Sequence, residues 1–355
     1  MSLLFRYVFK RQARLLLLIM GLGMGLYLLT ELVERVDIFM DAGAGIGLVA
    51  QYFAARMPGI IAQILPAVFL LSTVVTLCLM HKSREMTALH AGGIPFASLT
   101  VIFVISGVFW GAAQFACAQF LGVEGAAVAD RIWQEQVRKK NMNLRTLDKV
   151  WFNENGWTVS LGKLRADGVS EGFSAFHIPP GSHDIDAFID AAGARADKDG
   201  WIAENGEELD PHTYVRTRFD RKRLPIHQDT EIFFAVGKTS IQQLPLWRLG
   251  ETIEKLDTAG SNVEGFRTIW HGKISYACSM VVMALLGAAI ITLTFNIYLA
   301  VSMSLAGTFV LYALIMFGES LGQRGVLPPM AAAWGPLVLC AAGAMARLFL
   351  SQRAR

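Results

Sequence analysis

The sequence predicts an α-helical membrane protein with six transmembrane helices, three plus three, and an extracytoplasmic all-β, jelly-roll-like domain inserted between the third and fourth. Three observations lead there. The chain of 355 residues is 54% hydrophobic and 17% charged, whereas a soluble chain carries about 25% charged residues. The charges are segregated, with residues 123–268 holding 19 of the 32 Lys/Arg and 23 of the 29 Asp/Glu. On either side, uncharged apolar stretches recur on the scale of the ~20 residues that a helix needs to cross a bilayer. The implied organisation has three parts. Residues 1–124 hold an N-terminal interfacial helix, spans one to three and a short helix at 83–93. Residues 125–265 form the β domain with its C-terminal helix, and 266–355 form spans four to six and a short tail.

Leu3–Arg14 mixes Leu3, Leu4, Tyr7 and Val8 with Arg6, Lys10, Arg11 and Arg14, the pattern of an interfacial helix with a basic face. Span one runs uncharged from Leu15 to Thr30 and is retained, because Glu31, Glu34, Arg35 and Asp37 follow it where a signal peptide would end in small residues. Span two lies within Met57–Met80, with a kink expected at Pro66, and span three within Phe96–Val123. Ile274–Gly318 is too long for one crossing and divides at Thr294-Phe295-Asn296; span six is Gly325–Ala346. Lys and Arg in the short loops set orientation. Arg6, Lys10, Arg11, Arg14, Lys82, Arg84, Arg347, Arg353 and Arg355 fall on one side, against Arg35, Arg56 and Arg324 on the other. This places both termini in the cytoplasm and the domain outside.

Within the domain, Lys149–Asn153 and Trp157–Leu161 flank Glu154-Asn155-Gly156, a hairpin signal, and Asp197-Lys198-Asp199-Gly200 marks a second turn. His212–Phe219 alternates as a half-buried strand does, with Val215, Thr217 and Phe219 on one face. Short strands at this spacing suggest a sandwich or jelly roll. Pro245 opens a helix striped by Leu246, Leu249, Ile253 and Leu256 that stops at Ala259-Gly260; Ser261-Asn262-Val263-Glu264 then reads as a capping box.

Catalytic chemistry finds little support. Gly237-Lys238-Thr239 resembles the tail of a phosphate loop, but Ile232 stands where that loop requires glycine. His177, His183, His212 and His227 lack metal-ligand spacing, and Cys78, Cys117, Cys278 and Cys340 sit in apolar stretches as packing residues. With a net charge of +3 and no basic face with interleaved aromatics, nucleic acid is not an expected partner. No metal and no cofactor is expected in this chain.

Between spans two and three, Ser83 can cap a short helix in which Met86, Leu89 and His90 share a stripe, and Gly92-Gly93 and Pro95 stop it. Two readings stand: a lever that takes up force from a soluble ATPase, or a basic loop that only anchors topology. Here the sequence resembles the LptF/LptG permeases of Gram-negative bacteria. The pattern is Ser83, Glu85, Met86, Ala91 and Gly93; it continues through Leu65-Pro66, Asp199-Gly200-Trp201, Leu249 to Gly260, Lys273, and Pro328-Pro329 to Pro336. The LptG-like branch is the nearer, through Leu256-Asp257-Thr258-Ala259-Gly260 and the Pro-Pro pair.

That resemblance implies an inner-membrane ABC exporter in which this chain pairs with a sister permease. A dimeric cytoplasmic ATPase, which would hold the ATP and Mg, is expected to dock on Arg84, Glu85, Met86, Leu89, Ala91 and Gly93. Glu85 would meet a basic group there, and Met86 and Leu89 would fill an apolar groove. Lipopolysaccharide would be extracted from the outer leaflet and passed by the β domain to periplasmic bridge proteins. Family members carry basic residues at the outer end of span one that meet the lipid's phosphates; here Glu31, Glu34, Asp37 and Asp41 surround a single Arg35. The expected gate therefore has Glu31, Glu34, Arg35, Met316 and Glu319 at its rim, with the carboxylates holding divalent cations or pairing with the sister chain. Alternatives of other classes are a lipid-modifying enzyme using Glu319 or the domain histidines, and a membrane-anchored periplasmic sensor.

Overall fold

The structure, a computed structural model, describes residues 2–137, 146–154, 156–165, 168–179, 184–197, 200–211, 213–226, 244–258 and 262–353. Asn155, Lys198, Asp199, His183, His212, His227, Gly237-Lys238-Thr239, Ala259-Gly260-Ser261 and Arg355 lie outside the described residues. The chain forms two compact units, Met1–Trp133 with Glu264–Arg355, and Gln134–Val263.

The helices in chain order are α1 (Ser2–Asp41), α2 (Ile46–Lys82), α3 (Glu85–Ala91), α4 (Phe96–Ala116), α5 (Val123–Arg131), α6 (Leu246–Thr258), α7 (Glu264–Ile291), α8 (Ile297–Gln323) and α9 (Pro329–Arg353). Among the described residues, six helical stretches are long and apolar enough to span a membrane: Leu3–Asp41, Ile46–Lys82, Phe96–Glu135, Glu264–Ile291, Ile297–Gln323 and Pro329–Ser351. The break expected at Thr294-Phe295-Asn296 is present. Asn296 caps α8, its side chain accepting from the Tyr298 and Leu299 amides at 3.0 and 3.5 Å.

Two expectations are corrected. The basic segment Leu3–Arg14 is not a separate interfacial helix but the first turns of one unbroken α1. No proline or glycine stands between it and the apolar run, so nothing stops helix propagation. The helix that carries the third span does not stop at residue 124. α4 passes through a π-helical turn, Cys117–Gly122, into α5 and a second π segment, Ile132–Val137, so the helical unit extends to Trp133.

α2 and α7 form the centre of the bundle, with 67% and 61% of their apolar windows covered, against 17% for α1 and α9. Phe69, Leu70, Leu77, Met80, Phe103, Met280 and Met283 are fully buried there. α4 meets α7 closely because glycine permits it. A Cβ on Gly107 would stand 2.9 Å from the Met280 carbonyl, and one on Gly111 2.8 Å from that of Ala277. Backbone groups freed inside the bundle must find partners. Pro66 has no N–H for the carbonyl of Ala62, and Gln114 Nε2 donates to that oxygen at 3.2 Å. A second polar link joins three spans: Gln12 Nε2 donates to Thr73 Oγ1 at 2.8 Å, and Ser106 Oγ to Gln12 Oε1 at 2.6 Å.

In the other unit β1 (Thr146–Glu154), β2 (Trp157–Arg165), β3 (Val169–His177), β4 (Ala187–Asp197), β5 (Gly200–Leu209) and β6 (Arg216–Leu224) make one antiparallel sheet in which every neighbour is next in sequence. The first hairpin pairs Glu154 with Trp157, and Gly156 takes φ 81° in its turn. The core gathers Val159, Leu161, Phe173, Ala175, Ile189 and Ala203 around a buried Trp201, whose ring lies 6.1 Å from Phe152 and 6.4 Å from Phe173. Gly200 precedes it at φ 132°, where a Cβ would stand 2.5 Å from the Leu224 carbonyl. The strand expected at His212–Phe219 starts later, at Arg216, because Tyr214 takes φ 55°. Its side chains are largely exposed, and Arg218, Arg221 and Lys222 pair with Glu207, Glu204 and Glu208 of β5.

Candidate functional site

One end of the helical unit carries the N-terminus, α3, the α7–α8 turn and the end of α9. His81 stacks on Phe295 with ring centroids 3.7 Å apart. Arg347 donates to the Thr292 carbonyl at 3.0 Å, satisfying a group that the end of α7 leaves open.

α3 is fastened to this end by its inward face. Arg11 Nη1 donates to both Glu85 oxygens at 2.7 and 2.8 Å, and Tyr7 OH donates to Oε2 at 3.0 Å. Ser83 does not cap α3 as expected. Arg84 occupies the N-cap position in the left-handed region at φ 58°, and Ser83 Oγ instead donates to Glu85 Oε1 at 2.6 Å. Met86 is buried in the bundle core, and Leu89 packs against it. Of the six residues expected to meet an ATPase, Glu85, Met86 and Leu89 thus face their own chain, while Arg84, Ala91 and Gly93 are exposed. Thr87 and Ala88 join them on the outward face. Arg11 and Tyr7 were missed by the sequence reading.

Burial pushes the Glu85 carboxyl up, and the hydrogen bonds from Ser83, Arg11 and Tyr7 outweigh it, holding the group below the usual carboxylate range. A lowered pKa gives stability that is present above the ordinary value of about 4.3 and is lost as pH falls through the lowered one. For a pair about a quarter exposed this contributes on the order of 0.5–1 kcal/mol. A spin label at Ala88 should stay ordered at neutral pH and loosen only as the pH falls below the ordinary carboxylate range. In Arg11→Ala it should be loose at pH 7; equal mobility in the two proteins would show that the clamp does not hold α3.

The C-terminal end of α1 forms the second cluster. Arg56 Nη1 lies 2.9 Å from Glu31 Oε1 and donates to Tyr52 OH at 2.8 Å. Arg35 lies over Trp133, its guanidinium carbon 4.5 Å from the ring centroid, and 5.8 Å from that of Tyr52. Arg35 Nε is 3.1 Å from Glu31 Oε1 but out of hydrogen-bonding line. Glu31, Glu34, Arg35 and Arg56 border a groove of about 470 Å³ between α1 and α2, with Tyr27, Leu26, Ile64 and Val68 along it. Three of the expected gate residues are thereby brought together. Arg56 and Trp133 had not been assigned to the gate. The signal available in the sequence for Arg56 is a lone arginine inside a helical run, which points to a partner carboxylate.

Glu319 and Met316 do not line that groove. Met316 is exposed on α8. Glu319 Oε1 lies against Gly272, where a Cβ would come within 2.9 Å, and interacts with the charge of Lys273. Beside them Tyr276 OH donates to the Gln63 carbonyl at 2.5 Å. In the domain, His177 Nδ1 is hydrogen-bonded to Asp186 at 2.8 Å.

The family model described as "Lipopolysaccharide export system permease LptF/LptG" matches residues 6–350 and does not separate its two branches. No curated protein matches the chain significantly.

Proposed function

We propose that this chain, which belongs to the LptF/LptG family of lipopolysaccharide export system permeases, is one of the two paired permeases of an ABC exporter. It is an inner-membrane transport permease, in keeping with six spans and one inserted sheet domain. In this reading its termini lie in the cytoplasm, a dimeric ATPase binds the outward face of α3, and the sheet domain hands lipopolysaccharide to periplasmic bridge proteins. The observation that carries it is the match over residues 6–350, which takes in both units.

Two features of the helical unit support this reading. α3 is held by Glu85 and Met86 to α1 and the core. A push on Arg84, Thr87, Ala88 and Ala91 therefore reaches the spans as a rigid-body movement rather than being lost in a loose loop. At the other end of α1, Arg35 and Arg56 present planar forks suited to phosphate oxygens above the apolar wall of the groove.

Orientation is tested directly. A periplasm-active reporter fused after Gly206 is expected to be active and one after Arg355 silent, since basic short-loop residues favour that arrangement nine to three. Activity at Arg355 alone would invert the scheme.

A further inference from the structure

The groove between α1 and α2 changes character along its length. From Gly23 to Arg35 it follows α1 for twelve residues, about 18 Å at 1.5 Å per residue. Leu26, Ile64, Ala67 and Val68 make one end apolar; Thr30, Glu31, Glu34, Arg35 and Arg56 make the other polar. A lipid fits with a chain on the first and its headgroup at the second.

The polar end is not built for a bare phosphate. Two carboxylates stand with two guanidinium groups, so the rim carries no net charge. Glu31 Oε1 is paired with Arg56 Nη1 at 2.9 Å, while Arg35 Nε lies 3.1 Å from it out of hydrogen-bonding line. Its second oxygen, Oε2, is buried without a donor in a side chain only 7% exposed, and Arg35 Nε is buried without an acceptor. An acceptor and a donor are thus both unpaired on residues that line one groove, each costly to leave unmade. A divalent cation would bring two further positive charges to a carboxylate that already has two guanidinium groups against it, whereas an ammonium brings one and carries its own phosphate to face those guanidinium groups.

We propose that this end of the groove is a subsite for a zwitterionic phosphate–ammonium headgroup, namely a glycolipid whose phosphate bears an aminoalkyl substituent. The phosphate lies toward Arg35 and Arg56, and the ammonium toward Glu31 Oε2 with Glu34 at the mouth. This rests on the reading of the chain as a glycolipid permease and adds to it which headgroup form is preferred. It also gives the acidic end of span one a purpose.

The test titrates the full-length chain in phosphatidylglycerol nanodiscs, with occupancy read by native mass spectrometry. Three probes are used: lipopolysaccharide with unsubstituted phosphates, the same molecule carrying aminoethyl phosphate, and phosphatidylethanolamine. The aminoethyl form is expected to bind about tenfold tighter than the unsubstituted form, the scale of one charge-assisted hydrogen bond. N-acetylation of its amine, which leaves the protein untouched, should remove the difference, and Glu31→Gln should do the same. Equal binding of the two glycolipids, or a preference that survives acetylation, overturns the proposal while leaving the permease reading in place. Phosphatidylethanolamine binding as tightly as the aminoethyl glycolipid overturns it in favour of a phospholipid occupant. Binding of neither glycolipid overturns both.

Discussion

Ala88→Trp is expected to abolish recovery of the ATPase with the permease and to stop transport, while the helical unit stays folded. Ala88 lies on the exposed face of α3 with Arg84, Thr87 and Ala91, at helical spacings of three and four. Small side chains there let another surface approach closely, and an indole at the centre of such a contact holds the surfaces apart. Disrupting the centre of an interface costs on the order of 2–4 kcal/mol, or about 30- to 1,000-fold in affinity. Met86→Ala should act by another route, through a cavity in the bundle core worth about 2–5 kcal/mol of stability. Quantified pull-downs beside melting curves separate the two. Wild-type ATPase recovery with wild-type transport in Ala88→Trp would return α3 to a topological anchor.

Glu31→Ala should be the most damaging single change at the opposite end of α1. Glu31 is buried, and its Oε1 lies within 3.1 Å of both Arg56 and Arg35. Removing it leaves two guanidinium groups without their counter-charge, and because both are partly exposed the loss is about 1–3 kcal/mol. The double variant Glu31→Ala/Arg56→Met should recover part of that loss, because it removes one stranded charge together with its partner. A melting temperature in Glu31→Ala equal to that of the parent would mean that water or lipid already satisfies both arginines.

Much of the architecture was legible in the sequence because the bilayer leaves few choices. Long uncharged runs could only be spans, and Asn296 after Thr294-Phe295 could divide one run into two because its side chain caps the next helix. The domain's turns announced themselves through Gly156 and Gly200, both at positive φ. What escaped depends on contacts remote in sequence. Glu85 and Arg11 are 74 residues apart, and nothing local says that a glutamate beginning a seven-residue helix is held by an arginine of the first span. In so short a helix, the stripe of Met86 and Leu89 looks the same whether it meets a partner or its own core. The groove posed the same difficulty: Arg56 belongs with Glu31 only because α1 and α2 pack side by side. Arg35 needs Trp133, more than ninety residues on, to complete its setting.

Reconstitution tests the central claim most directly. The chain is placed in proteoliposomes with a sister permease and the ATPase, lipopolysaccharide is supplied in the membrane, and its transfer to a soluble periplasmic bridge protein is followed by photo-crosslinking. The account predicts ATP-dependent transfer that requires this chain and is lost in Ala88→Trp. Transfer that proceeds without this chain, or at the same rate when ATP is replaced by a non-hydrolysable analogue, would contradict it.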